Sequence, residues 1–369
     1  MKILIVNLYD INKLPPVKTL IEGLTNLGHD TKLMSWGELS EYSKYKNVKI
    51  IPIANKPENI LEKGIQFFER KKKLRDTVNL EMKDCDLLWT TTDITVRELG
   101  DTVLKYKHIM QLMELIEDVP LFPGQNKIKA HIDKYARNAY KVVVPEYNRA
   151  QILKTWWNLN KKPEVLPNAP IIKKEIEVPN DIKIKLADII NEKRKVIIYQ
   201  GIFRAERNLE EFAKATRLLG EEYAMYIMGF DTPERKELCR KYPEIKYLGF
   251  INPPYHLYAT QFAHIGLLPY IPSKNTTMHY SILNSLFCAP NKLYEYAAYG
   301  VPMVGTDVPG LKYPFGMNQI GYCCEELRAE EIVQCIHKIE ENYDKLSENC
   351  KKFYASNKME SLIDKILSS

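Results

Sequence analysis

Short apolar runs alternate along this chain with stretches whose apolar positions recur every third or fourth residue. Lys2–Leu8 is a near-continuous apolar run, the form of a strand buried on both faces. After a loop over Tyr9–Pro15, Val17, Leu20, Ile21, Leu24 and Leu27 fall at helical spacing, and Gly28 ends that helix. Further strands are expected over Thr31–Trp36, Asp86–Trp89, His108–Met113 and Lys141–Val144, with helices over Val96–Tyr106, Lys127–Arg137 and Arg149–Trp157. A proline-interrupted, charged connector follows between Val165 and Asn180. A second series then places strands at Val196–Tyr199, Tyr223–Met228, Lys246–Phe250, Ile265–Pro269 and Pro302–Val304. Helices at Leu209–Leu219, Pro233–Lys241 and Asn291–Tyr299 and a helical C-terminus complete it. Such alternation implies parallel βαβ units and an open doubly wound sheet in each half. The chain is therefore read as α/β, with two Rossmann-like domains, 1–168 and 169–350, facing a central cleft that takes the ligand outside the strands' carboxyl ends. A last helix in 351–369 is expected to pack back on the first domain.

Composition narrows the class. A length of 369 residues suits two domains, and 45% hydrophobic with 27% charged residues excludes disorder, collagen and coiled coil. No run approaches the ~18 apolar residues of a membrane span, and the apolar start is too short for a signal-peptide core. Seven cysteines without a Cys-x-x-Cys pair read as reduced thiols in a cytoplasmic protein, with no zinc site. The net charge of +6 is one-sided. Residues 1–170 hold 27 basic against 21 acidic side chains, whereas 171–369 are balanced. The densest point is Arg70–Arg75, at the end of an amphipathic stretch beginning at Ile60. It fits either a helix covering the sheet or one resting on an anionic membrane surface, on the inner face of the cell membrane. A neutral second half without a recognition motif argues against nucleic acid.

Two segments carry chemistry. In Tyr199–Asn208 a strand ends at Gln200-Gly201, a short loop holds Arg204 and Arg207, and a helix starts near Asn208. Glycine permits close backbone approach, a helix N-terminus favours anions, and the arginine fork matches phosphate oxygens. In Ala289–Val304, Asn291 and Glu295 stand one helical turn apart, and a carboxylate there either complements the helix dipole or accepts ribose hydroxyls.

Pro290-Asn291-Lys292-Leu293-Tyr294-Glu295-Tyr296 with Gly300-Val301-Pro302 resembles the donor-site helix of bacterial GT-B glycosyltransferases, close to glycosyltransferase family 4. The resemblance extends to Val165–Pro170, to Tyr199-Gln200-Gly201 with Arg207, to Ala263–Tyr270 and to the Gly28-His29-Asp30 turn. It implies that Arg204 and Arg207 hold a donor diphosphate and that Glu295 binds ribose. The backbone of Asn291, Lys292 and Leu293 would approach the phosphates, with Gln200 and Gly201 beside them, and Phe250 and Ile251 would lie against the base. It implies a transferase that needs no Asp-x-Asp metal triplet and no cofactor, acting with retention in bacterial surface polysaccharide assembly.

The chain departs from the family pattern at three points. Phe287 stands eight positions before Glu295, where many members carry an acid, with Asn284 the nearest polar side chain. Leu14-Pro15-Pro16 replaces a double glycine, and Met113 replaces a histidine in Leu112–Asp118. Glu114 is then the candidate to orient or deprotonate an acceptor hydroxyl, against a role for Glu114, Glu117 and Asp118 in capping a loop. His264 and His279 fall near the donor segments, and Trp156-Trp157 reads as helix packing. The function expected is transfer of a sugar from a nucleotide diphosphate sugar, UDP-linked as first choice, to a hydroxyl of a glycan or lipid-linked glycan. A non-catalytic GT-B subunit serving a partner enzyme and a sugar-nucleotide epimerase are the alternatives.

Overall fold

The computed structural model describes residues 1–53, 67–121, 128–172, 177–272 and 282–368. It divides into two compact units. The first holds residues up to Ile171, the described residues of 278–284 and those from Lys358 on; the second holds Ile172–Thr277 and Ser285–Asn357.

Near-continuous apolar strands need cover on both faces, which parallel sheets with crossover helices provide. The first unit contains β1 (Lys2–Asp10), β2 (Asp30–Trp36), β3 (Val48–Ile50), β4 (Leu87–Thr91), β5 (His108–Gln111), β6 (Lys141–Val144) and β7 (Glu164–Val165). They form one parallel sheet in the order β3-β2-β1-β4-β5-β6-β7. Leu4, Val6 and Leu8 of β1 join Met34 and Leu88 in one core, while Ile3 and Ile5 are fully buried on the other face. Helix Pro15–Asn26 buries Val17, Leu20, Ile21 and Leu24 and starts on Pro15-Pro16, where a missing N–H costs nothing. Helix Met359–Ser368 packs on it: Asn26 Nδ2 donates to Glu360 Oε1 at 3.0 Å, and Gly23 leaves room for Ile363.

The second unit contains β8 (Lys195–Gln200), β9 (Tyr223–Met228), β10 (Lys246–Tyr247), β11 (Ile265–Leu268), β12 (Met303–Thr306) and β13 (Gly321–Cys324), again all parallel, in the order β10-β9-β8-β11-β12-β13. Alternate residues of β8 and β9 divide between two cores. Val196, Ile198, Ala224 and Tyr226 enter one, and Ile197, Tyr199, Met225 and Ile227 the other. In each unit the strand order reverses beside the first strand, between β1 and β4 and between β8 and β11.

Several expected elements end elsewhere. The helix expected to reach Tyr106 is a helix over Asp93–Leu99 followed by a 3₁₀ turn over Gly100–Lys105, because Gly100 takes φ +56°. The strand expected to reach Phe250 stops at Tyr247, and Gly249 turns the chain at φ +74°. The helix expected from Lys127 begins at Asp133, since Lys129 pairs with Pro120 in an antiparallel bridge; Lys127 lies outside the described residues. The short β3, β7 and β13 escaped the sequence pattern. Helix Phe67–Glu81 carries the basic block, and residues 60–66 of that amphipathic stretch lie outside the described residues. Among the described residues no helix is long and apolar enough to cross a membrane.

Candidate active site

The reversal between β8 and β11 gathers polar residues at the carboxyl ends of these strands. Gly201, directly after β8, takes φ +142°, a conformation open to glycine. A Cβ there would stand 2.8 Å from Lys292 Nζ, and one on Gly229 would stand 2.0 Å from the Gly201 carbonyl oxygen. The backbone is thus bare on the side that Lys292 faces. Arg207 closes a 3₁₀ turn, Ala205–Arg207, and lays its guanidinium carbon 3.6 Å from the centre of the Tyr270 ring. Lys292 Nζ lies 5.7 Å from the same ring centre and 4.9 Å from that of Tyr199. Both cations therefore approach the Tyr270 ring. Among the described residues Lys292 has no hydrogen-bond or ion-pair partner. Burial, and after it the charge of Arg207, pushes the Lys292 ammonium down to about 7, against the opposing pull of Glu295 and Cys288.

Glu295, three residues along the same helix (Asn291–Ala298), is 7% exposed. Gln200 Nε2 donates to its Oε2 at 2.6 Å, and His256 Nε2 faces Oε1 at 3.3 Å. The Thr260 hydroxyl donates to Gln200 Oε1 at 2.8 Å, which fixes the amide so that its nitrogen turns to Glu295. Burial raises the Glu295 carboxyl, but the charge of His256 and the hydrogen bonds from His256 and Gln200, with Lys292, hold it below its usual range.

Gln200, Gly201, Arg207, Lys292 and Glu295 thus come together as the sequence suggested. Arg204 is exposed just before the turn, and Asn291 is half-buried at the helix start. Leu293 and Ile251 bury their side chains in the core, so only their backbone is left to a ligand. Phe250 is exposed and stacks on Phe230 with ring centres 4.0 Å apart. His256, Thr260 and Phe230 gave no sequence signal, and Tyr270 was seen only as a strand end. His264 is engaged elsewhere: its Nε2 lies 2.8 Å from Glu340 Oε1 and its ring stacks on Tyr343. His279 lies outside the described residues. Trp157 is buried, with its Nε1 donating to the Glu117 carbonyl. The chain does contain one Asp-x-Asp triplet, Asp84-Cys85-Asp86. It stands at the amino end of β4, where Asp84 holds Lys32 and Asp86 accepts the Lys2 N–H.

In the first unit Glu114 follows β5, half-buried, and accepts a hydrogen bond from Asn284 Nδ2 at 2.7 Å. At the end of neighbouring β4, Thr92 takes φ +72°, a strained conformation for a β-branched residue. Burial raises the carboxyl of the next residue, Asp93; its own backbone and Arg97 oppose the shift, and Glu114 adds to it.

Lys292 gives an expected result of definite sign. Its ammonium is depressed in the folded protein, so between about pH 7 and the ordinary lysine range burial and Arg207 hold it neutral. A diphosphate raises it again, and binding therefore takes up a proton. Calorimetry of UDP binding near about pH 8, in buffers of different ionisation enthalpy, should show uptake approaching one proton, absent in Lys292→Met. Equal heats across buffers would remove Lys292 from the anion site.

The glycosyl transferases group 1 family matches residues 181–356. HepE of Anabaena in complex with UDP superposes with TM-score 0.69 at 13% identity, covering 100% of this chain and 98% of its own. Sucrose-phosphate synthase from Thermosynechococcus elongatus gives TM-score 0.68 at 13% identity, covering 99% and 97%. A glycosyltransferase from Rickettsia africae gives 0.68 at 14%, covering 100% and 98%. A search of curated proteins finds no match. Residues 181–356 thus match the glycosyl transferases group 1 family, and with two doubly wound units like those of its structural neighbours the chain has a GT-B fold.

Proposed function

We propose that this protein transfers a sugar from a UDP-sugar to a hydroxyl of a glycan or lipid-linked glycan, with retention and without a metal, in bacterial surface polysaccharide assembly. The observation that carries the donor half is the cation pair, Arg207 and Lys292, at the Tyr270 ring beside the bare Gly201 backbone. HepE, of the same fold, has been solved with UDP and with UDP-glucose. In the reaction the anomeric carbon–diphosphate bond breaks and the diphosphate keeps the electron pair, its charge met by Arg207 and Lys292. The acceptor oxygen forms the new bond, and its proton passes to the Glu114 carboxylate. Glu114 holds the acceptor hydroxyl by accepting its hydrogen bond. Gln200, Thr260 and His256 keep Glu295 ionised to accept the ribose hydroxyls. Phe250, with Phe230 against it, offers the base a flat apolar face.

Incubation with a panel of nucleotide sugars tests this. UDP release with a UDP-sugar, and a UDP-specific rise in melting temperature, are the expected results. Binding without release would favour the non-catalytic subunit, and an epimerised sugar still attached to UDP would favour an epimerase.

The same reading places the protein at the cytoplasmic face of an anionic membrane through helix Phe67–Glu81. Lys72 and Lys73 are exposed there, while Lys71 pairs with Glu98 at 3.2 Å and Arg75 donates to the Glu98 carbonyl. Co-sedimentation with anionic vesicles should fall with salt and with Lys72→Gln/Lys73→Gln. Sedimentation indifferent to both would leave the helix as a solvated face.

A further inference from the structure

We propose that Asn284 is a positioning residue for the acceptor side, its side-chain amide holding Glu114 with one carboxylate oxygen pinned and the other open to a substrate hydroxyl. This rests on Glu114 as the group that meets the acceptor.

Asn284 lies 170 residues beyond Glu114 in sequence, yet it belongs to the first unit, while Ser285 onward returns to the second. Its Oδ1 accepts the Leu115 N–H at 2.8 Å, and its Nδ2 donates to Glu114 Oε2 at 2.7 Å. A backbone N–H only donates, so the amide oxygen is obliged to face Leu115 and the amide nitrogen to face Glu114. Turning the amide over would set two donors together and two acceptors together. The frame around it is equally fixed. Arg149, 3% exposed, donates Nη1 to the Met113 carbonyl at 2.9 Å and Nη2 to the Asn284 carbonyl at 3.1 Å. One buried guanidinium therefore ties the residue before Glu114 to the backbone of the residue that holds it.

Among the described residues Glu114 Oε1 makes no hydrogen bond. A carboxylate fixed through one oxygen and open at the other is what orienting a hydroxyl requires. The charge of Glu114 acts on Asp93, where Arg97 opposes it. Asn284 supplies a neutral donor that holds Glu114 Oε2 without adding another charge.

The test uses the full chain with UDP-glucose as donor and water as acceptor. Asn284→Ala should cut kcat by about 10- to 100-fold with the donor KM unchanged. Asn284→Asp, of the same size, keeps an acceptor for the Leu115 N–H but loses the donor to Glu114, and should be impaired at least as much. In a Glu114→Gln background Asn284→Asp should cost nothing more, because its effect runs through the Glu114 carboxylate. Should Asn284→Ala fail to fold, Asn284→Asp carries the test in both backgrounds. If Glu114→Gln turns over like wild type, the reading of Glu114 falls and this proposal with it. If Glu114→Gln is impaired while the Asn284 variants keep wild-type kcat, or lose as much in the Glu114→Gln background as alone, Asn284 is only a tether and the assignment is overturned.

Discussion

Glu114→Gln is expected to lower kcat by about 10²- to 10⁴-fold while leaving UDP binding at its wild-type strength. The substitution keeps the size of the side chain, and a glutamine carbonyl still accepts from Asn284 Nδ2, so the frame made by Asn284 and Arg149 stays in place. What is lost is the negative charge of the oxygen left open. With the carbonyl held by Asn284, the open position becomes an amide NH2, which accepts no hydrogen bond and stabilises no positive charge on the acceptor hydroxyl as its oxygen attacks. The residues expected to bind UDP belong to the second unit, which the substitution does not touch. Turnover of a UDP-sugar and calorimetry of UDP binding, measured side by side, check both halves. A kcat within twofold of wild type would assign Glu114 to loop capping.

Arg207→Ala should lower kcat by about 30- to 1000-fold, the cost of losing a charge-assisted contact that strengthens as the diphosphate leaves. The guanidinium rests on Tyr270 and donates Nη1 to the neighbouring Glu206 carbonyl at 2.8 Å, so it is held in place before any ligand arrives. Its removal has a second consequence. The charge of Arg207 helps to depress Lys292, and without it Lys292 keeps its proton to higher pH. The deficit should therefore be partly offset, because Lys292 is then the remaining cation. Rates measured across pH for Arg207→Ala and for the double variant with Lys292→Met check this. A double variant no worse than Arg207→Ala alone would sink the paired-cation account.

Much of the fold was legible because its signals are local. Strand Tyr223–Met228, strand Lys141–Val144 and helix Pro233–Lys241 stand where periodicity put them, and each is bounded by residues whose preferences act within a turn. Elements failed where backbone chemistry at one residue overrode the pattern, as at Gly100 and Gly249. Arg204 and Arg207 could be chosen as anion binders by type and Lys292 only through its backbone, and nothing in the sequence showed that Arg207 and Lys292 both approach Tyr270 or that Lys292 is held close to losing its proton. The sequence also gave no reason to pair His256 with Glu295, since the two meet only because the helices carrying them pack together.

The sequence by itself determined the two doubly wound sheets, helix Asn291–Ala298 and the cationic and acidic residue types near the strand ends, because strand alternation, helical spacing, capping and side-chain charge are properties of neighbouring residues. Tertiary structure alone decided which of those residues act as a unit. Gln200 reaches Glu295 across 95 residues, Asn284 reaches Glu114 across 170, and Gly201 comes under Lys292 where no side chain would fit. Those juxtapositions follow from strand order, which brings the ends of β8 and β11 side by side, and from the excursion of Asn284 into the first unit. Neither strand order nor that excursion leaves a periodic trace in the chain. The environment that sets the charge of Lys292 and Glu295 is likewise made of distant residues, and so it exists only once the protein has folded.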